Sequence, residues 1–164
     1  MIVIRPSVES DGPMLKSWIQ KPDVLCWFPM SDEREIDDSV RIWMGYIRFG
    51  ASFTAEYDGK PTGMAVLYLQ PYQKFAHHAI FAIIVDEKYR NLGIGKALME
   101  HFEKEAREKF HLELLHLEVY AGNPAIRLYE RLGFKEYGKH PRFIKENGQY
   151  LCKILMQKEI HGRS

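Results

Sequence analysis

The chain has 164 residues, a length at which one domain can bury its own core, and a single unit over residues 1–164 is expected. Its 23 Lys and Arg stand against 22 Asp and Glu, a net charge of +1, which leaves no basic stripe for nucleic-acid binding. The two cysteines, Cys26 and Cys152, form no C-x-x-C pair. With no signal segment or long apolar run, the chain reads as cytoplasmic, with reduced thiols and no membrane attachment.

In chain order, Ile2 to Arg5 alternates and stops at Pro6, which predicts a first strand. Helical patterns follow over 8–19 and 33–48, the second opened by Asp32 and Glu35 at capping-box spacing. The acids Glu33, Glu35, Asp37 and Asp38 could attract a cationic amine, but they also suit the positive end of that helix. Asp58-Gly59 between 52–57 and 62–70 predicts a hairpin. Ala79 to Val85 is continuously apolar, as in a strand covered on both faces. His77 and His78 are adjacent and so point to opposite sides of a strand, and no metal-ligand spacing accompanies them.

The segment from Val85 through Arg90-Asn91-Leu92-Gly93-Ile94-Gly95 runs from strand to helix. Its glycines let a ligand approach the backbone, and the helix start offers unpaired N–H groups and a partial positive charge. Arg90 adds a formal charge. The layout suits a pyrophosphate, although it lacks the dinucleotide glycine spacing, and Lys96-Ala97 lacks the hydroxyl of a Walker loop. The helix over 93–110 gathers Ile94, Ala97, Leu98, Phe102 and Ala106 on one face, with Glu100–Lys104 and Glu103–Arg107 as outer pairs. As a crossover it makes strands 79–85 and 114–120 parallel. Gly133 ends a further helix, a strand begins over 134–137, and Asn147-Gly148 turns a last hairpin with its second arm over 150–156. The expected fold is mixed α/β: a largely antiparallel sheet with a central parallel strand-helix-strand unit and helices on both faces.

Arg90 to Gly95, followed at the right separation by Ala125-Ile126-Arg127-Leu128-Tyr129-Glu130-Arg131-Leu132-Gly133-Phe134, resembles the GNAT superfamily of acyl-CoA-dependent N-acyltransferases from about Glu56 onward. The resemblance implies the GNAT fold, acetyl-CoA as co-substrate, no metal, and direct attack of a primary amine on the thioester through a tetrahedral intermediate. It assigns the pantetheine arm to the main chain of Ile83, Ile84 and Val85. The pyrophosphate falls to Arg90 and to the N–H groups of Asn91, Leu92, Gly93, Ile94, Gly95 and Lys96. A strand amide could also stabilise the oxyanion.

Tyr129, protonated at neutral pH, is the candidate acid for the departing thiolate. The carboxylate that many relatives carry on the central strand is replaced here by Phe81-Ala82-Ile83-Ile84. Leu117-Glu118-Val119 before Ala121-Gly122-Asn123 is similar to the ribosomal-protein alanine N-acetyltransferases, which assigns the base to Glu118. Partial burial would make that carboxylate a stronger base, and His78 or a water relay are the alternatives. Asn123 is carried over as a cofactor contact, although it stands six rather than seven positions before Tyr129. From sequence alone it is an N-cap, with Pro124 at the first helical position.

The acceptor classes are a small amine, an amino acid or a peptide N-terminus. An α-amine, with a reference pKa of ~8 against ~10.4 for lysine, is the easier to deprotonate. Trp27, Phe28 and Tyr150 are candidates to line its pocket. The final hairpin and first helices could support a homodimer. The alternative reading is a non-catalytic acyl-CoA-binding module of the same fold.

Overall fold

The computed structural model describes residues 1–160. Its sheet contains β1 (Ile2–Pro6), β2 (Ser52–Tyr57), β3 (Lys60–Leu69), β4 (His78–Val85), β5 (Leu114–Tyr120), β6 (Lys135–Glu146) and β7 (Gln149–Glu159), in the order β1-β2-β3-β4-β5-β7-β6. Neighbours run antiparallel except β4 and β5, the pair bridged by the crossover helix. This is the mixed α/β arrangement that the hairpin and crossover signals predict.

Helices α1 (Gly12–Ile19), α2 (Pro22–Leu25) and α3 (Glu33–Gly45) cover one face, and α4 (Ile94–Glu108) with α5 (Ile126–Arg131) belongs to the other. The central strands serve both. Met64, Val66 and Ile84 pack with Leu15, Trp18, Ile19 and Trp43, while Ala65, Leu67 and Phe81 pack with Leu98, Phe102 and Leu115. Such two-sided burial is why β3 and β4 read as continuous apolar runs.

The α3 start follows its sequence signal. Asp32 accepts from the Glu35 N–H at 2.9 Å, while the Glu35 carboxylate reaches past the cap to the Ser31 N–H at 2.7 Å. On α4, Glu103 pairs with Arg107 as expected, at 3.9 Å, but Glu100 turns back to Lys96 at 3.8 Å. The last helix starts later than its sequence signal: α5 begins at Ile126, with Ala125 in the capping position. Asn123 instead closes a local turn, its side-chain oxygen accepting from the Ala125 N–H at 2.9 Å. Pro124 therefore sits in that turn and not in the helix.

The N-terminal segment is tied down by a buried polar cluster. Arg5 donates to both Asp11 carboxylate oxygens at 2.9 Å. Asp11 also accepts from the Val8 N–H and from the buried Thr54 hydroxyl. Burial alone would push the Asp11 carboxyl up, but Arg5, the Val8 amide and Thr54 together hold it below the usual carboxylate range.

The feature that positions the site is the seam between β4 and β5. They pair at only three positions, His78 with Leu114, Ala79 with Leu115 and Ile80 with His116. Beyond these, β4 follows β3 as far as Gly63 opposite Val85, and β5 follows β7 as far as Tyr120 opposite Lys153. Each strand is held by its outer neighbour, and the sheet opens between them. At the closed end, His78 Nδ1 and His116 Nε2 lie 3.1 Å apart.

Candidate active site

A cleft of about 1160 Å³ occupies the opening between the two strands. Its walls include Ile83, Ile84 and Val85 of β4, Leu117 to Tyr120 of β5, the 90–96 loop, and, around α5, Asn123 to Ala125, Arg127 to Tyr129, Arg131 and Leu132. The residues assigned to the cofactor from sequence thus converge on one place, at the carboxyl ends of parallel strands. Leu92 stands apart: its side chain is 47 % exposed and outside the cleft wall, so only its main chain can serve.

Local chemistry shapes the loop. Asp86 accepts from the Lys88 N–H at 3.1 Å and starts a single 3-10 turn over Glu87–Tyr89. Lys21 pairs with Glu87 at 3.1 Å and with Asp86 at 3.5 Å, tying the loop to the first helices. Asn91 and Gly93 then adopt left-handed backbone, φ +65° and +85°. A Cβ on Gly93 would have nothing within 4 Å, so its open side is free for a ligand, whereas one on Gly95 would meet Leu128 at 3.3 Å. The first-turn amides Ile94, Gly95 and Lys96 have no carbonyl four residues back within α4, which leaves an anion-binding helix start beside Arg90.

Tyr129 and Glu118 approach the seam from opposite sides of the sheet. Tyr129 packs with Phe81 and Phe134, ring centroids 6.1 and 6.2 Å away, and lines the cleft at 8 % exposure. Burial pushes its hydroxyl above the usual tyrosine range, so it is a proton donor at neutral pH. Alternation along β5 sends Leu115, Leu117 and Val119 into the α4 core and Glu118 to the other face. The partial burial expected of Glu118 is not found. Its side chain is 38 % exposed and ion-paired with Lys153, because the strand end opens into the cleft where β7 supplies a cation.

Two further expectations change with the geometry. His78 stands at the closed end of the seam, hydrogen-bonded to His116 and outside the cleft wall, which removes it as the base. Tyr150 lies beyond the end of β5, near the tip of the β6–β7 hairpin. It is exposed, carries the Arg142 guanidinium over its ring at 4.2 Å, and does not line the cleft. Trp27 and Phe28 do line it, and Trp27 reaches to 4.0 Å from where Gly122 would carry a Cβ.

Sequence reasoning missed Lys153 and Phe143, which complete this wall. The one local signal was Pro141, which interrupts a strand-like run and marks an irregularity. Among the described residues no group of three or more His, Cys, Asp or Glu could hold a metal ion. No helix there is long and apolar enough to cross a membrane.

The profile of the Acetyltransferase (GNAT) family matches residues 14–134. The chain belongs to the GNAT family. It is an acetyl-CoA-dependent N-acetyltransferase by membership, and its relatives bear this out. The L-amino acid N-acetyltransferase AaaT of Escherichia coli K12 is 30 % identical over 161 residues, 96 % of this chain and 97 % of the relative. The ribosomal protein bS18 alanine N-acetyltransferase of the same organism is 50 % identical over 58 residues, 35 % of this chain and 38 % of that one. Among solved structures, yncA of Salmonella typhimurium, determined with its cofactor acetyl-CoA, superposes with a TM-score of 0.82. It has 21 % identity, over 99 % of this chain and 96 % of that one.

Proposed function

We propose that this GNAT enzyme, a single acetyltransferase domain over residues 1–164, transfers the acetyl group of acetyl-CoA to the α-amino group of an amino acid or of a peptide N-terminus. The observation that carries the reading is the seam: a strand edge left unpaired from Phe81 to Val85, leading directly into a left-handed loop and an uncapped helix start. The named activities of the two bacterial relatives, one acting on L-amino acids and the other on a ribosomal protein alanine, support an α-amine acceptor.

Acetyl-CoA supplies the activated acyl group, as a thioester. The main chain of Ile83, Ile84 and Val85 would hold the pantetheine arm, and Arg90 with the amides from Asn91 to Lys96 the pyrophosphate. Asn123 reaches this wall too; its side-chain oxygen accepts from the Ala125 N–H, and its NH₂ group would be the donor toward the cofactor. An unpaired β4 amide faces the developing oxyanion. Glu118 takes a proton from the incoming amine on the α1–α3 side, and Tyr129 gives one to the departing sulfur from the α4–α5 side.

Calorimetric titration with acetyl-CoA tests the cofactor half of the proposal. Wild type should bind in the micromolar range and Gly93→Glu should not, because the new carboxylate sits at the open side of the loop at a position with φ +85°. Thiol release with α-amine acceptors tests the other half. Binding without thiol release from any amine would instead identify a non-catalytic acyl-CoA-binding module.

A further inference from the structure

We propose that Lys153 forms a carboxylate-binding subsite, so that the acceptor is a free α-amino acid and not a peptide N-terminus or a polyamine. The inference rests on the α-amine reading above and narrows it by the chemistry of the cleft wall.

Lys153 is opposite Tyr120 on β5, and Glu118 is opposite Leu155 on β7. Both charged side chains therefore rise on the same face of the sheet, one diagonal step apart. A lysine near a projecting hairpin normally extends its ammonium into water. Here the side chain is only 14 % exposed and folds into the cleft wall, its ammonium donating to the Glu118 carboxylate.

A second contact to that ammonium comes from a device in β6. Pairing passes from His140 opposite Lys153 to Ile144 opposite Leu151, so β6 takes four steps while β7 takes two. The two extra residues make a bulge in which Arg142 adopts φ +58°. Bulges re-aim side chains next to functional sites, and this one sets the Phe143 ring with its centroid 3.4 Å from Lys153 Nζ. An ammonium has three donors. One carboxylate and one ring face leave a donor for a ligand in the cleft that Lys153 lines.

Charge then selects the ligand. The charged side chains of the cleft are Arg90, Lys96, Arg127, Arg131 and Lys153 against Asp23 and Glu118. Arg90 and Lys96 belong to the pyrophosphate loop and Arg127 and Arg131 to α5, whereas Lys153 stands with Glu118 on the acceptor face. A polyamine would set a cation against Lys153 and leave that ammonium without a counter-charge from the ligand. A peptide N-terminus would set a neutral amide against Lys153. A free amino acid carries an ammonium and a carboxylate side by side, as Glu118 and Lys153 do with the signs reversed. It enters head to tail, its amine at Glu118 and its carboxylate at Lys153, and the charges of both side chains and of the ligand are paired.

The test compares kcat/KM for L-leucine, L-tryptophan and L-serine with that for their carboxamides and for spermidine, by thiol release from acetyl-CoA. With rates expressed per unprotonated amine, wild type should prefer the best free amino acid over its carboxamide by about 10- to 100-fold, the worth of one charge-assisted hydrogen bond. Lys153→Met should bring that ratio to within about threefold of unity, and Lys153→Arg should retain most of it. The ratio is insensitive to any general loss caused by exposing Glu118, since both members of a pair meet the same base. Equal use of acids and carboxamides by wild type, a preference surviving Lys153→Met, or spermidine as the best acceptor would overturn the carboxylate subsite while leaving the acetyltransferase reading intact. Thiol release with none of these amines would overturn both.

Discussion

Tyr129 owes its chemistry to its neighbours. The ring is wedged among Phe81 and Phe134, and burial keeps the hydroxyl protonated well above neutrality. Tyr129→Phe preserves the packing and removes the proton, so kcat should fall by roughly 100-fold. The acetyl-CoA dissociation constant should stay within about threefold by calorimetry; unchanged turnover would strip Tyr129 of the acid role. For Glu118→Gln the loss should grow as pH falls below the acceptor amine's own pKa, because there the acceptor arrives as an ammonium and must lose a proton to react. A kcat/KM profile superimposable on wild type would exclude Glu118. The residues of the 90–95 loop were legible in the chain because a left-handed turn and a close approach to α5 both demand glycine. Lys153 and Phe143 were not, because a bulge's effect depends on which residues of β7 face β6, and Pro141 marks an irregularity without saying which side chains it re-aims. Tyr150 was misplaced for the same reason: aromatic character marks a candidate, but the hairpin's overhang beyond Tyr120 decides which ring reaches the cleft.

Among the elements, β4 and β5 form the weakest join in the sheet, and the histidine pair stands at it. Burial and then the neighbouring imidazole of His77 lower the pKa of His78; burial and then His78 lower that of His116, with Glu118 opposing. The folded protein therefore binds these protons less readily than the unfolded chain does. The stabilisation is complete above the unfolded value of ~6.5 and is lost as pH falls through the lowered folded values. Urea midpoints of wild type should decline over this range, and those of His116→Phe should decline less steeply; parallel curves would deny the pair a role in holding the seam. Hairpins and crossover were readable from Asp58-Gly59, Asn147-Gly148 and the strand-loop-helix order around residue 90. The start of α5 was not, since Asn123 satisfies the next turn as readily as a helix, and only the surrounding fold chooses.

At the scale of the whole molecule, two apolar cores sit back to back on one sheet, and the cluster of Arg5, Asp11 and Thr54 fastens the N-terminal segment to β2. Asp11→Ala would leave a partly buried guanidinium without its main partner, at a cost of about 3 kcal/mol measured by urea denaturation. The general architecture follows from the order of hydrophobic patterns, whereas the extent of the opening between β4 and β5 does not. That depends on how long each strand stays with its outer neighbour. The opening also shapes behaviour during turnover. The strand edge and the loop would grip the pantetheine and the nucleotide, which are the same before and after the acetyl group has left. Binding energy taken from shared parts scarcely distinguishes reactant from product. Spent CoA would therefore compete for the seam on nearly equal terms, and the enzyme's pace would follow the ratio of loaded to unloaded carrier more closely than the amount of either.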